Sequence, residues 1–127
     1  MRKLTKFLPV VLGLLLTGCT ATLTNLSPEY QTRRADGLYP VAVSLNTRQA
    51  SVRWDSIKPY VVVGNNFYPM QPMPLMTNRW ETLIPVPADT SIIHYCYKFD
   101  WQYNAIPTPQ NDSMKSPMQT LRIVTPK

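Results

Sequence analysis

Histidine occurs once in this 127-residue chain, cysteine twice and glycine four times. One His and two Cys exclude a four-thiolate or His-rich zinc centre. The few glycines form no phosphate-cradling loop, and neither a Gly-x-Ser-x-Gly elbow nor a closely spaced carboxylate pair is present. Nothing in the residues selects a nucleophile and a base, so a non-enzymatic role without a cofactor is expected. No apolar run is long enough to span a bilayer, because the longest, Phe7 to Leu16, would make a helix of only about 15 Å. What the chain does have is 44% hydrophobic residues, 13 prolines and 13 basic against 7 acidic residues. The length and hydrophobic content together indicate one small folded domain.

The N-terminus has the three parts of an export signal. Arg2, Lys3 and Lys6 form a positive start, Phe7–Leu16 is the apolar centre, and Leu16-Thr17-Gly18-Cys19 closes it. This last tetrapeptide resembles the lipobox of bacterial lipoproteins: an aliphatic residue, a small one, Gly or Ala, then Cys. The resemblance implies that residues 1–18 are a signal peptide, helical in its apolar part, and that the Cys19 thiolate takes a diacylglycerol and becomes the membrane anchor. In bacteria with two membranes a residue other than Asp after the cysteine implies sorting to the outer membrane, and here that residue is Thr20.

Removing residues 1–18 takes three of the thirteen basic residues and none of the seven acidic ones, leaving +3. The remaining positive charges are scattered singly apart from Arg33-Arg34, which describes a solvated surface and argues against nucleic acid. Residues 19–38, polar and Thr-rich without a clean period, are expected to be the lipidated N-terminus and a tether, with packing of part of the segment on the domain as the alternative. The folded domain is expected over residues 39–127.

From Tyr39 onward the pattern is β. Strands are expected at Tyr39–Leu45, Ala50–Trp54, Tyr60–Val63, Trp80–Val86, Ile92–Trp101 and Gln119–Val124. Turn signals at Asn46-Thr47, Gly64-Asn65-Asn66, Pro87-Ala88-Asp89 and 107–116 separate them. Val41, Val43 and Leu45 alternate to one side, as do Val52 and Trp54. In the longest run Ile93, Tyr95, Tyr97, Phe99 and Trp101 share one face, and His94, Cys96, Lys98 and Asp100 the other. About seven short strands with Pro-rich connections predict an antiparallel β-sandwich.

Between Tyr60 and about Pro117 the chain resembles the early-set immunoglobulin-like domains, particularly starch- and glycogen-binding modules. The matching residues are Val61-Val62-Val63-Gly64, Pro74-Leu75-Met76, Trp80-Glu81, Ile84-Pro85-Val86-Pro87-Ala88 and Tyr97-Lys98-Phe99, with Asp100-Trp101-Gln102 where the family has an Asp-Gly and often a Trp, and Asn111-Asp112-Ser113 near its Asn/Asp-rich loop. The resemblance implies an immunoglobulin-like sandwich and a sugar platform in which Lys98 donates to hydroxyls and Trp101 stacks on a sugar face. Phe67-Tyr68-Pro69 stands where the family has its first Trp, with Tyr68 replacing that residue in part. The main expectation is an envelope lipoprotein that binds or supports another envelope component; the alternative is a surface glycan-binding lipoprotein using Tyr68, Lys98 and Trp101.

Two smaller features complete the inventory. Met70, Met73 and Met76 offer soft thioethers, but Pro72 and Pro74 prevent a helix that would align them, and Met is a common filler of irregular gaps. Once Cys19 is lipidated, Cys96 has no partner within the chain and is expected to be a buried small hydrophobe, with an intermolecular disulfide as the other possibility.

Overall fold

A computed structural model describes residues 21–126; the expected signal helix and Cys19 lie outside them. The described residues are all β. The strands are β1 (Ala21–Asn25), β2 (Tyr30–Thr32), β3 (Leu38–Thr47), β4 (Val52–Val63), β5 (Asn66–Pro69), β6 (Gln71–Pro72), β7 (Arg79–Pro85), β8 (Ile92–Tyr103), β9 (Gln110–Lys115) and β10 (Gln119–Val124). They form two sheets. One has the order β1-β3-β7-β6; the other runs β2-β10-β8-β4-β5, with β9 also paired to β8.

The sandwich follows from alternation. Tyr39, Val41, Val43 and Leu45 of β3, together with Trp80 and Ile84 of β7, face Val52 and Val61 of β4, Tyr95, Tyr97, Phe99 and Trp101 of β8, and Leu121 and Ile123 of β10 in one buried cluster. The Trp80 and Phe99 rings meet edge to face at 5.1 Å, one of each sheet. On β3, β7, β8 and β10 these side chains sit at every second position, as the expected strands required.

Three expectations are corrected. Residues 21–38 are not a free tether: β1 pairs with β3 over five residues, from Ala21↔Thr47 to Asn25↔Val43, and β2 pairs with β10. Thr22 and Thr24 point outward while Ala21 is buried and Leu23 packs on the core, so the segment carries a period of two written in weakly apolar residues. The sheets are also not wholly antiparallel, because β2 runs parallel to β10. Finally, Val52–Trp54 of the expected strand Ala50–Trp54 and all of Tyr60–Val63 belong to one strand, β4, whose pairing with β8 shifts register between Arg53 and Lys58. That shift turns Trp54 away from Val52 and leaves it 46% exposed. The Ser56 hydroxyl bridges the gap by accepting from the Gln102 amide at 2.8 Å.

Pro59 sits inside β4 because its missing N–H faces the side where β5 has ended, and its carbonyl accepts the Met70 amide at 3.0 Å. β9 and β10 lie successively along one edge of β8, separated by a bulge at 116–118. Ser116 repairs the ladder there: its amide donates to the Tyr97 carbonyl at 2.9 Å, and its buried Oγ accepts the Tyr97 amide at 2.8 Å.

Candidate binding surface

Strand alternation assigns every candidate residue to a face. On β8, burial of Tyr97, Phe99 and Trp101 sends Lys98, Asp100 and Gln102 to the outer face of the larger sheet. Opposite residues on neighbouring strands share that face: Tyr60 stands beside Lys98, Lys58 beside Asp100, Lys115 beside Lys98, and Ser113 beside Asp100. Three lysines therefore surround one aspartate. The Lys98 Nζ reaches both Asp100 carboxylate oxygens at 2.9 Å, a pair about one-third exposed that fixes Lys98 along its own strand. At such exposure the pair contributes at most about 1 kcal/mol to stability.

The face continues into a groove of about 580 Å³ bordered by Ser56, Lys58, Asp100, Gln102, Asn111, Asp112 and Ser113, and at its floor by Trp101. Its lining is rich in hydroxyls, amides and charge, which suits a polar ligand rather than an apolar one. At the other end of the face Tyr60 and Phe67 pack edge to face with centroids 6.1 Å apart, and Phe67 is 53% exposed.

The three residues assigned to a sugar platform do not come together. Lys98 is on the outer face. Trp101 borders the groove but points inward and is only 5% exposed, so its ring faces are not open for a sugar to stack on. Its indole Nε1–H finds no acceptor among the described residues, and nothing in the structure explains that. Tyr68 pairs with Val61 and packs on the core from the inner face of β5. The aromatic residues on the same face as Lys98 are Tyr60 and Phe67. Carrying a period of two from Val61, which is buried, to Tyr60, and from Tyr68 to Phe67, is the signal that finds them.

The thioethers do not share one environment either. Met70 is buried in the core, whereas Met76 is exposed on a turn closed by its amide to the Met73 carbonyl at 3.2 Å. Among the described residues no three of His, Cys, Asp and Glu cluster as metal ligands would. Cys96 is a free, buried thiol, on the opposite face of β8 from the main core and level with Val62 on β4. His94, on that same face, is hydrogen-bonded through Nδ1 to the hydroxyl of its cross-strand neighbour Thr120 at 3.2 Å. No protein-family model, no curated protein and no solved structure matches this chain.

Proposed function

We propose that the protein is a lipid-anchored envelope lipoprotein, attached through Cys19, that acts as a non-enzymatic binding or structural module. The observation that carries the reading is the register of positive start, apolar centre and Leu-Thr-Gly-Cys, followed two residues later by the first strand of a sandwich. The order of the smaller sheet, β1-β3-β7-β6, opposite β4, β8 and β10, supports an immunoglobulin-like type for that sandwich. The test is metabolic labelling with a fatty acid: the native chain incorporates label, and Cys19→Ala abolishes both incorporation and signal removal. Normal labelling of Cys19→Ala refutes the anchor.

Glycan binding stands as a second reading, moved from the resemblance-derived platform to the outer face. It is favoured by the exposed Phe67 beside Tyr60 and Lys98, followed by a polar groove. Affinity electrophoresis across a polysaccharide panel decides it. Retardation abolished by Phe67→Ala supports this reading, and no retardation by any polysaccharide removes it.

A further inference from the structure

Strand direction sorts the loops to two ends of the sandwich. β3 ends at Thr47 beside Ala21, β4 starts at Val52 beside Tyr103, and β7 starts at Arg79 beside Ser44. The start of β1 therefore shares one end with three loops: 48–51, 73–78 and 104–109. The loop before β2, the Gly64-Asn65 turn, the β7–β8 connection and the C-terminal residues lie at the other.

The anchored end has an unusual surface. Leu75, at 104% relative exposure, and Ile106, at 98%, are the two most exposed large hydrophobic residues described, and both occupy its loops. Met76 stands next to Leu75, itself 44% exposed. The three loops contain Arg48 and no acidic residue, whereas the far-end loops hold Glu29, Asp36 and Asp89 together with Arg33 and Arg34. Leu75 is also held at φ 63°, a left-handed conformation, at the third position of the Met73-Pro74-Leu75-Met76 turn. Gly or Asn is the usual residue there, since a side chain crowds the backbone. A Leu presented in an unfavourable backbone conformation and fully to water gains nothing from the folded domain itself.

Proximity to Cys19 identifies what covers this end. Cys19 precedes Ala21 by two residues, so their Cα atoms are at most about 7 Å apart. We infer that the domain stands on the membrane with this end down, Leu75 and Ile106 entering the headgroup region as apolar pegs and Arg48 facing anionic lipid. The inference rests on the anchor reading and adds an orientation to it. Apolar tips with a basic and no acidic neighbour are the composition that the bilayer interface accepts.

The test uses the full chain, processed and lipidated in its host membrane, purified and reconstituted into vesicles of phosphatidylethanolamine and phosphatidylglycerol. Leu75→Cys, Ile106→Cys and Asn65→Cys are labelled with an environment-sensitive fluorophore. Lipidation occupies the Cys19 thiol and Cys96 is buried, so the label goes to the introduced thiol. β4 places Asn65 roughly 35–40 Å from the anchored end. Labels at Leu75 and Ile106 are expected to shift to the blue and to be quenched severalfold more by bilayer-embedded nitroxides than the label at Asn65. Equal quenching at all three sites, or stronger quenching at Asn65, overturns the orientation while leaving the anchor intact. Mass spectrometry of the N-terminal peptide reads the anchor separately, and an unlipidated Cys19 overturns both.

Discussion

Removing the Tyr97 hydroxyl tests whether the segment after the anchor belongs to the fold. Tyr97, on β8, is fully buried and its hydroxyl crosses the sandwich to the other sheet. It donates to Asn25 Oδ1 at 2.7 Å, has the Ala42 carbonyl as a second acceptor at 3.0 Å, and lies 3.3 Å from Ser27 Oγ. In Tyr97→Phe neither acceptor is orphaned: Asn25 Oδ1 keeps the Ser27 amide at 3.1 Å and the Ala42 carbonyl keeps the Leu26 amide at 2.9 Å. The loss is therefore that of a bond, not of a buried unpaired group, about 1–1.5 kcal/mol, or roughly 4–8 °C in Tm. Asn25→Ala removes the same bond together with the Ser27 contact and the Nδ2 donations to the Tyr95 hydroxyl and Gln119 Oε1, both at 3.3 Å, and is expected to cost about 2–3 kcal/mol. Because the two share a bond, the double variant should lose about 0.5–1 kcal/mol less than the sum of the singles in urea titrations of residues 20–127. Full additivity, or Tyr97→Phe as stable as native, would refute the view that residues 21–27 are built into the sandwich. A pH signature accompanies the mutation. Burial raises the Tyr97 hydroxyl well above the usual tyrosine range. The unfolded chain ionises near pH 10 while the folded one does not, so this contribution is present below about pH 10 and declines above it. The stability gap between native and Tyr97→Phe should narrow as the pH is raised from 9 to 11.

Ser116→Ala leaves the buried Tyr97 amide without its 2.8 Å acceptor at the bulge between β9 and β10, and should cost about 1–3 kcal/mol in thermal unfolding; a neutral result would mean that the bulge relaxes to restore the ladder. Leu75→Gly removes a fully exposed side chain and relieves a left-handed backbone, against the greater freedom of Gly in the unfolded chain. Its Tm is expected to equal or exceed that of the native domain, and a loss above about 1 kcal/mol would show that Leu75 serves the fold.

Much of the fold was legible because β3, β7 and β8 write their inner faces in large apolar side chains at every second position. The edges were not. β9 reads Gln-Asn-Asp-Ser-Met-Lys and is exposed almost throughout; backbone pairing with β8 holds it, and a ladder bond leaves no signature in side-chain hydropathy. β1 hides similarly, with Ala21 and Asn25 as two of its three inward residues. Asn25 faces inward because the Tyr97 hydroxyl is waiting there, a partner 72 positions away that no local pattern announces. At the candidate surface, Lys98 was found where alternation placed it. Trp101 was assigned to a ligand by resemblance although the same alternation had already put it beside Phe99 in the core.

Incorporating residues 21–38 into the sheets changes what an anchor at Cys19 would do. A tether of that length could extend roughly 60 Å and let the domain tumble beneath its lipid. With β1 paired to β3 from Ala21, two positions after Cys19, an anchor there would hold this end of the sandwich close to the membrane, and the strands stand away from it on the proposed orientation. Both sheet faces then look sideways. The lysines at 58, 98 and 115, the Tyr60–Phe67 pair and the polar groove would all be presented along the membrane, within about 40 Å of it. A ligand for that face would accordingly be a neighbour in the same plane: a second anchored chain, the flank of an integral protein, or a glycan lying along the surface. The mobile partners that long-tethered lipoproteins can reach across a compartment fit this geometry poorly.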